Sequence, residues 1–185
     1  MSQSLIAALQ NPALYPHPVE AFQVIETHIS WVILTGPFAY KLKKPMNFGF
    51  LNFTELADRG HFCNEELRLN QRLTKDLYLE VLPITGTAEA PQLGGEGPVI
   101  EYALKMRQFP QSQLLSTLQA NGELTSAHID EMAKQIAHFH LTAPKVPQDH
   151  PAGTPDEVMA PVRQNFEQIR PFLSDKADLA QLEAL

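Results

Sequence analysis

The stretch Phe38–Pro45, F-A-Y-K-L-K-K-P, constrains the fold more than any other part of the chain. It places three lysines within four positions, between apolar runs, in a protein of net charge −7. Read as a strand over Phe38–Lys43, its side chains alternate between two faces. Ala39, Lys41 and Lys43 share one face, Phe38, Tyr40 and Leu42 share the other, and Lys44 points away from Lys43. A small alanine two residues before a lysine leaves room for a flat ligand and puts an ammonium at its edge. That arrangement suits a nucleotide. The competing reading is a solvated edge strand whose lysines guard against pairing with another chain.

Composition narrows the partners. A length of 185 residues fits one domain, or one domain and a piece of another, and 44% hydrophobic residues suffice for a core. The acidic balance, with a pI near 5.4, argues against a general nucleic-acid binder but leaves room for a local basic patch that holds a phosphate-bearing small molecule. The single cysteine, Cys63, excludes an intramolecular disulfide and a cysteine-based zinc site, and fits a reducing compartment. The N-terminus lacks the basic start and apolar core of a secretory signal. No apolar run reaches the roughly 18 residues of a membrane span. The expectation is a cytoplasmic protein with no membrane partner. His138 and His140 lie two apart on an expected helix and diverge, so no metal site is expected there.

Along the chain, Ser4–Gln10 reads as a short helix ended by Asn11-Pro12. Phe22–Thr27, Ile29–Leu34 and Phe38–Lys43 read as three antiparallel strands, with a turn at Thr35-Gly36-Pro37. Pro45–Phe53 is aromatic, contains glycine and reads as irregular. Thr54 is the expected cap of a helix from Glu55 to about Leu73, with Gly60 as a weak point in its middle where it can split. Phe62, Leu69 and Leu73 mark its expected buried side. Leu77–Ile84 and Val99–Met106 read as strands, with Thr85–Pro98 as the loop between them. Beyond Arg107 the pattern is helical: Gln113–Gln119, a helix capped by Thr125 or Ser126, Glu157–Phe172 and Ala177–Leu185. The layout is α+β, a sheet of about five antiparallel strands with one helix, then helices alone.

Several segments together resemble one family. They are T-H-I-S-W-V-I-L-T-G-P-F-A-Y-K-L-K-K-P, N-F-G-F-L-N-F, H-F-C-N-E-E-L-R-L-N-Q-R-L, E-Y-A-L-K-M-R-Q-F-P and I-A-H-F-H-L-T-A-P. They resemble the N-terminal domain of bacterial aminoglycoside-phosphotransferase-like proteins, over nearly all of residues 22–145. The resemblance implies a protein-kinase-like N-lobe over residues 1–106 and the start of a helical C-lobe over residues 107–185. In that group a separate P-loop ATP-binding domain often follows. Ala39 would then floor the adenine, and Lys41 would meet the phosphates, with Lys43 as the fallback. Glu66, with Leu69 and Leu73 at i+3 and i+7 as in the family's pattern, is preferred to Glu65 as the helix carboxylate that holds the lysine. Met106, Arg107 and Phe109 belong to the hinge that reads the adenine edge. Thr27, His28 and Ser30 stand where a glycine-rich phosphate loop would lie; that segment has no glycine, so the expected phosphate donors there are these three side chains.

The same resemblance implies ATP and Mg²⁺ as cofactors and an unidentified small-molecule hydroxyl as acceptor in the complete protein. The family's H-G-D-x-H-x-x-N segment does not occur in these 185 residues, so no catalytic residue and no metal ligand is assigned to this chain. The alternative is a non-catalytic, pseudokinase-like module that binds nucleotide or supports a neighbouring domain. Residues 1–185 alone are expected to be inactive. Radiolabelled ATP with a panel of hydroxylated acceptors checks this, and any phosphate transfer by this chain refutes it.

Overall fold

Alternation along Phe38–Lys43 does produce a strand with two chemically different faces. In the computed structural model, which describes residues 3–147 and 149–184, this strand, β3, lies between β2 (Ser30–Leu34) and β6 (Val99–Arg107). β1 (Gln23–Glu26) pairs with β2, β4 (Tyr78–Gly86) with β6, and β5 (Pro91–Leu93) with β4. The sheet is antiparallel and six-stranded, in the order β1-β2-β3-β6-β4-β5. The expectation was about five strands. The sixth, β5, lies inside the segment read as a loop. Its glycines and prolines hide it, because a proline is tolerated at the start of a short edge strand.

One face of the sheet is apolar. Tyr40 and Leu42 of β3, Ile33 of β2, Ile84 of β4 and Ala103 of β6 form a core with Leu5 and Ile6 of α1 (Gln3–Ala8) and with Leu9. Each fully buried aliphatic side chain contributes roughly 1.5–3 kcal/mol, enough to hold so short a helix on the sheet. The helix is shorter than the expected Ser4–Gln10. A 3-10 turn, Pro12–Leu14, follows, with Asn11 as the cap whose side chain accepts the Ala13 N–H.

Pro45–Phe53, read as irregular, is a tight hairpin-like turn. The Phe53 N–H donates to the Met46 carbonyl and the Phe48 N–H to the Leu51 carbonyl, and Asn47 bridges to Asn52. Gly49 supplies the positive φ of +83° that the turn requires.

The other face of β3 meets α2 (Leu56–Asn70), which lies over β4 and β6. Three expectations for this helix are corrected. The Thr54 hydroxyl donates to Asn52 Oδ1 instead of capping the helix, and the N-cap position is Glu55. Gly60 does not interrupt the helix. A Cβ there would sit 2.6 Å from Cε2 of Tyr102, so glycine lets the helix approach the sheet. The buried line is Arg59, Gly60 and Cys63, while Leu69 and Leu73 are 45% and 58% exposed.

After β6 come a 3-10 turn (Gln111–Gln113) and α3 (Leu115–Ala120) in place of the expected Gln113–Gln119 helix. α4 (Ser126–Thr142), α5 (Pro155–Ile169) and α6 (Lys176–Ala184) complete six α-helices among the described residues. The Thr154 hydroxyl caps α5 by accepting the Glu157 N–H. The expected end of the last helix at Leu185 lies outside the described residues. The chain forms two compact units that divide between His128 and Ile129. Among the described residues from Ile129 onward, none is buried. No helix among the described residues is long and apolar enough to cross a membrane.

Gly60→Ala sets two effects against each other. Helix propensity favours alanine by about 1 kcal/mol, and overpacking against Tyr102 costs about 1–3 kcal/mol. The overpacking dominates at a 2.6 Å approach. Urea unfolding is expected to show a net loss of about 1 kcal/mol, relieved when Tyr102→Leu is added. A stabilised Gly60→Ala variant contradicts this packing.

Candidate functional site

The alanine-then-lysine spacing in β3 places Ala39 and Lys41 on the wall of a cavity of about 500 Å³. The strands β1 and β2 contribute Ile25, Val32 and Leu34, and the turn between them contributes Thr27 and Ile29. Leu77 and Tyr78 enter from the start of β4. Met106, Arg107, Gln108, Phe109 and Gln111 close the side at the end of β6. The wall is mainly aliphatic. Ala39 is 5% exposed and pairs with Met106 across the β3–β6 ladder, so a small and a flexible side chain stand side by side on that wall.

Lys41 is held from behind. Its Nζ donates to Oε1 of Glu66 at 2.7 Å, and Lys43 Nζ donates to Oε2 of the same carboxylate at 2.6 Å. Lys43 is 5% exposed, with its ammonium 4.8 Å from the centre of the Phe53 ring. Glu66 does not line the cavity; it faces β3 from the middle of α2. Burial pushes its carboxyl up, but the hydrogen bonds and charges of Lys41 and Lys43 outweigh burial and hold it below the usual carboxylate range. Glu65, the alternative carboxylate, pairs with Arg68 on the exposed side of the helix. Lys44 turns away to Glu26 and the Trp31 ring.

Glu66 therefore holds Lys41, but the reason differs from the leucine spacing. Leu69 and Leu73 are exposed. The line that faces the sheet is Arg59, Cys63, Glu66 and Asn70, at steps of four, three and four. Arg59 Nε donates to both oxygens of Glu101 at 3.0 and 2.9 Å, and its Nη1 donates to the Phe53 and Thr54 carbonyls. The Glu101 side chain is 1% exposed. The Asn70 side chain donates to the Glu66 carbonyl. Cys63 lies among these groups, and burial pushes its thiol up to about 11.

The expected phosphate loop fares differently from the rest. The Thr27 hydroxyl is occupied within its own turn, donating to the Ser30 carbonyl and accepting the Ser30 N–H. His28 is exposed and does not line the cavity. Ser30 is fully buried, opposite Lys43 in the β2–β3 ladder, so its hydroxyl is not available to a ligand. The turn is closed by hydrogen bonds instead of being opened by glycine, and this removes His28 and Ser30 from the cavity wall.

Of the expected hinge residues, Met106, Arg107 and Phe109 all line the cavity. The Gln108 N–H donates to the Pro37 carbonyl, and its side-chain oxygen accepts the Gly36 N–H, so the segment after β6 is fastened to the β2–β3 turn. The contact of Gln108 with Gly36 and the Arg59–Glu101 pair are not legible in the sequence. The partners lie 72 and 42 positions apart, and no local pattern announces either.

Among curated proteins, the chain is similar to uncharacterized proteins of Mycobacterium bovis and of two strains of Mycobacterium tuberculosis. Each is 33% identical over 130 residues. The match covers 69% of this chain and 24% of each relative, so the chain spans about a quarter of the length of the curated relatives it matches. No family model matches, and no solved structure matches.

The lowered carboxyl of Glu66 has a definite sign in the stability profile. Its folded value lies below its unfolded one. Its contribution is complete above that unfolded value and disappears as pH falls through the lower folded value. Denaturant unfolding from pH 6 down to pH 2 is expected to lose stability more steeply in wild type than in Glu66→Gln. Parallel acid limbs would remove Glu66 from the balance.

Proposed function

We propose that this chain supplies the nucleotide-binding half of an aminoglycoside-phosphotransferase-like kinase. In the complete protein, the activity is phosphoryl transfer from ATP to a small-molecule hydroxyl. The observation that carries the reading is Lys41 on the wall of an apolar slot, held by Glu66, with Ala39 two residues before it. The strand order β1-β2-β3-β6-β4, with one helix inserted after β3, supports a kinase-like N-lobe. So does the segment Met106–Phe109, which leaves the sheet along the far wall of the cavity.

In this reading the base lies in the aliphatic slot over Ala39, and Met106 and Phe109 lie at its edge. Lys41 meets the phosphates. The walls exclude water from the base, which strengthens each polar contact made inside. Cradling of phosphates by a glycine loop has no part in it, because the β1–β2 turn is closed on itself. The chemistry Mg²⁺ would supply is neutralisation of the phosphate charge. No carboxylate is found on the cavity wall among the described residues, so none of them is assigned to hold it.

A second reading is a nucleotide sensor or scaffold. It rests on the same cavity and requires no catalytic segment. The two readings differ in whether a transferred phosphate appears, and both need the cavity to bind nucleotide.

Calorimetric titration of ATP with Mg²⁺ into wild type and Lys41→Ala tests the shared premise. The variant is expected to bind at least about tenfold more weakly, the scale of one charge-assisted contact. Equal affinities remove Lys41 from the site, and no binding by wild type removes the nucleotide reading.

A further inference from the structure

The carboxylate behind Lys41 is shared. Glu66 uses one oxygen for each of two lysines, at 2.7 and 2.6 Å, so the group carries two positive charges against one negative. In a one-to-one pair the charges cancel, and the lysine meets a ligand with little net field. Here one positive charge is left over. The neighbouring acids do not balance it. Glu101 is taken by Arg59, Glu65 by Arg68, Glu26 by Lys44 and Glu80 by Lys105. The Cys63 thiol sits beside the group and is neutral near pH 7.

The surplus is also directed. Side-chain exposure is 24% for Lys41, 6% for Lys43 and 16% for Glu66. Lys41 lines the cavity, and Lys43 lies behind it against the Phe53 ring. A partly buried, unbalanced ammonium is screened far less than a surface one, and it favours an anion in the cavity that Lys41 lines.

We propose that Lys43 is a positioning residue for this site: it balances Glu66, so that Lys41 presents a net positive charge to an anionic phosphate group in the cavity. This rests on the reading of the cavity as a site for a phosphate-bearing ligand. It adds that the second lysine of K-L-K, two residues on and out of the ligand's reach, sets the strength of that contact.

The test titrates the full chain with three probes: inorganic tripolyphosphate, adenosine, and ATP with Mg²⁺. Lys43→Met is expected to weaken tripolyphosphate and ATP roughly tenfold, the scale of one partly screened charge, and to leave adenosine unchanged. Lys43→Arg is expected to restore most of the loss, which a purely packing role does not predict. Lys43→Met that binds tripolyphosphate as tightly as wild type overturns the proposal, even if ATP still binds and the nucleotide reading stands. If wild type binds tripolyphosphate in a Lys43-dependent way but neither adenosine nor ATP, the nucleotide reading falls and the charge proposal stands. If wild type binds no polyphosphate, both fall. Should Lys43→Met not fold, lysine side-chain NMR of wild type decides. Tripolyphosphate is expected to shift the Lys41 ammonium signal and leave that of Lys43 nearly unmoved, and a larger shift at Lys43 overturns the assignment.

Discussion

One carboxylate joins the helix to the strand. Glu66 reaches from the middle of α2 to Lys41 and Lys43 of β3, and each contact is short and largely shielded from water. An exposed ion pair contributes about 0–1 kcal/mol. Removing one partner of a buried pair costs about 3–5 kcal/mol, because a charge is left without compensation. The second case applies best to Lys43, whose side chain is 6% exposed. The helix is therefore not free to slide along β3 without stranding a buried ammonium. The position of Lys41 in the cavity follows from that restriction.

The Arg59–Glu101 pair does the same work about two turns before. Arg59 joins α2 to β6 and also satisfies two carbonyls at the end of the preceding hairpin, Phe53 and Thr54. With Glu66 it makes a polar line down the face of α2 that meets the sheet, and Gly60 brings that face close enough for the contacts to be short. An amphipathic helix ordinarily buries leucines there. Here the sheet-facing positions include Arg59 and Glu66, each in an ion pair with the sheet, beside Gly60 and Cys63, while Leu69 and Leu73 are exposed. The two faces of the sheet therefore differ in kind. One is an apolar core under α1, and the other is a set of ion pairs under α2 with the cavity beside it.

This inversion explains what was legible. The strands β1, β2, β3 and β6 follow from alternation and β-branched content, because each alternates between a packed face and another environment. β5 was hidden by Gly94, Gly95 and Pro91. The choice of Glu66 over Glu65 agrees with the geometry, but the leucine spacing offered for it does not, since those leucines are exposed. Ser30 looked like a donor because serine is polar. Its burial opposite Lys43 depends on strand register, which no local signal reports.

The sequence by itself determined the α+β layout and the face that Ala39, Lys41 and Lys43 share, because side-chain alternation is a local property of an extended backbone. It also brought Lys41 and Lys43 to one side, two residues apart. Only the tertiary structure decided that both lysines end on one carboxylate, that Lys41 opens to the cavity while Lys43 is sealed behind it, and that Arg59 and Glu101 meet. Those outcomes depend on the distance at which α2 crosses the sheet. A close approach at Gly60, 42 positions away from Tyr102 in the chain, sets that distance.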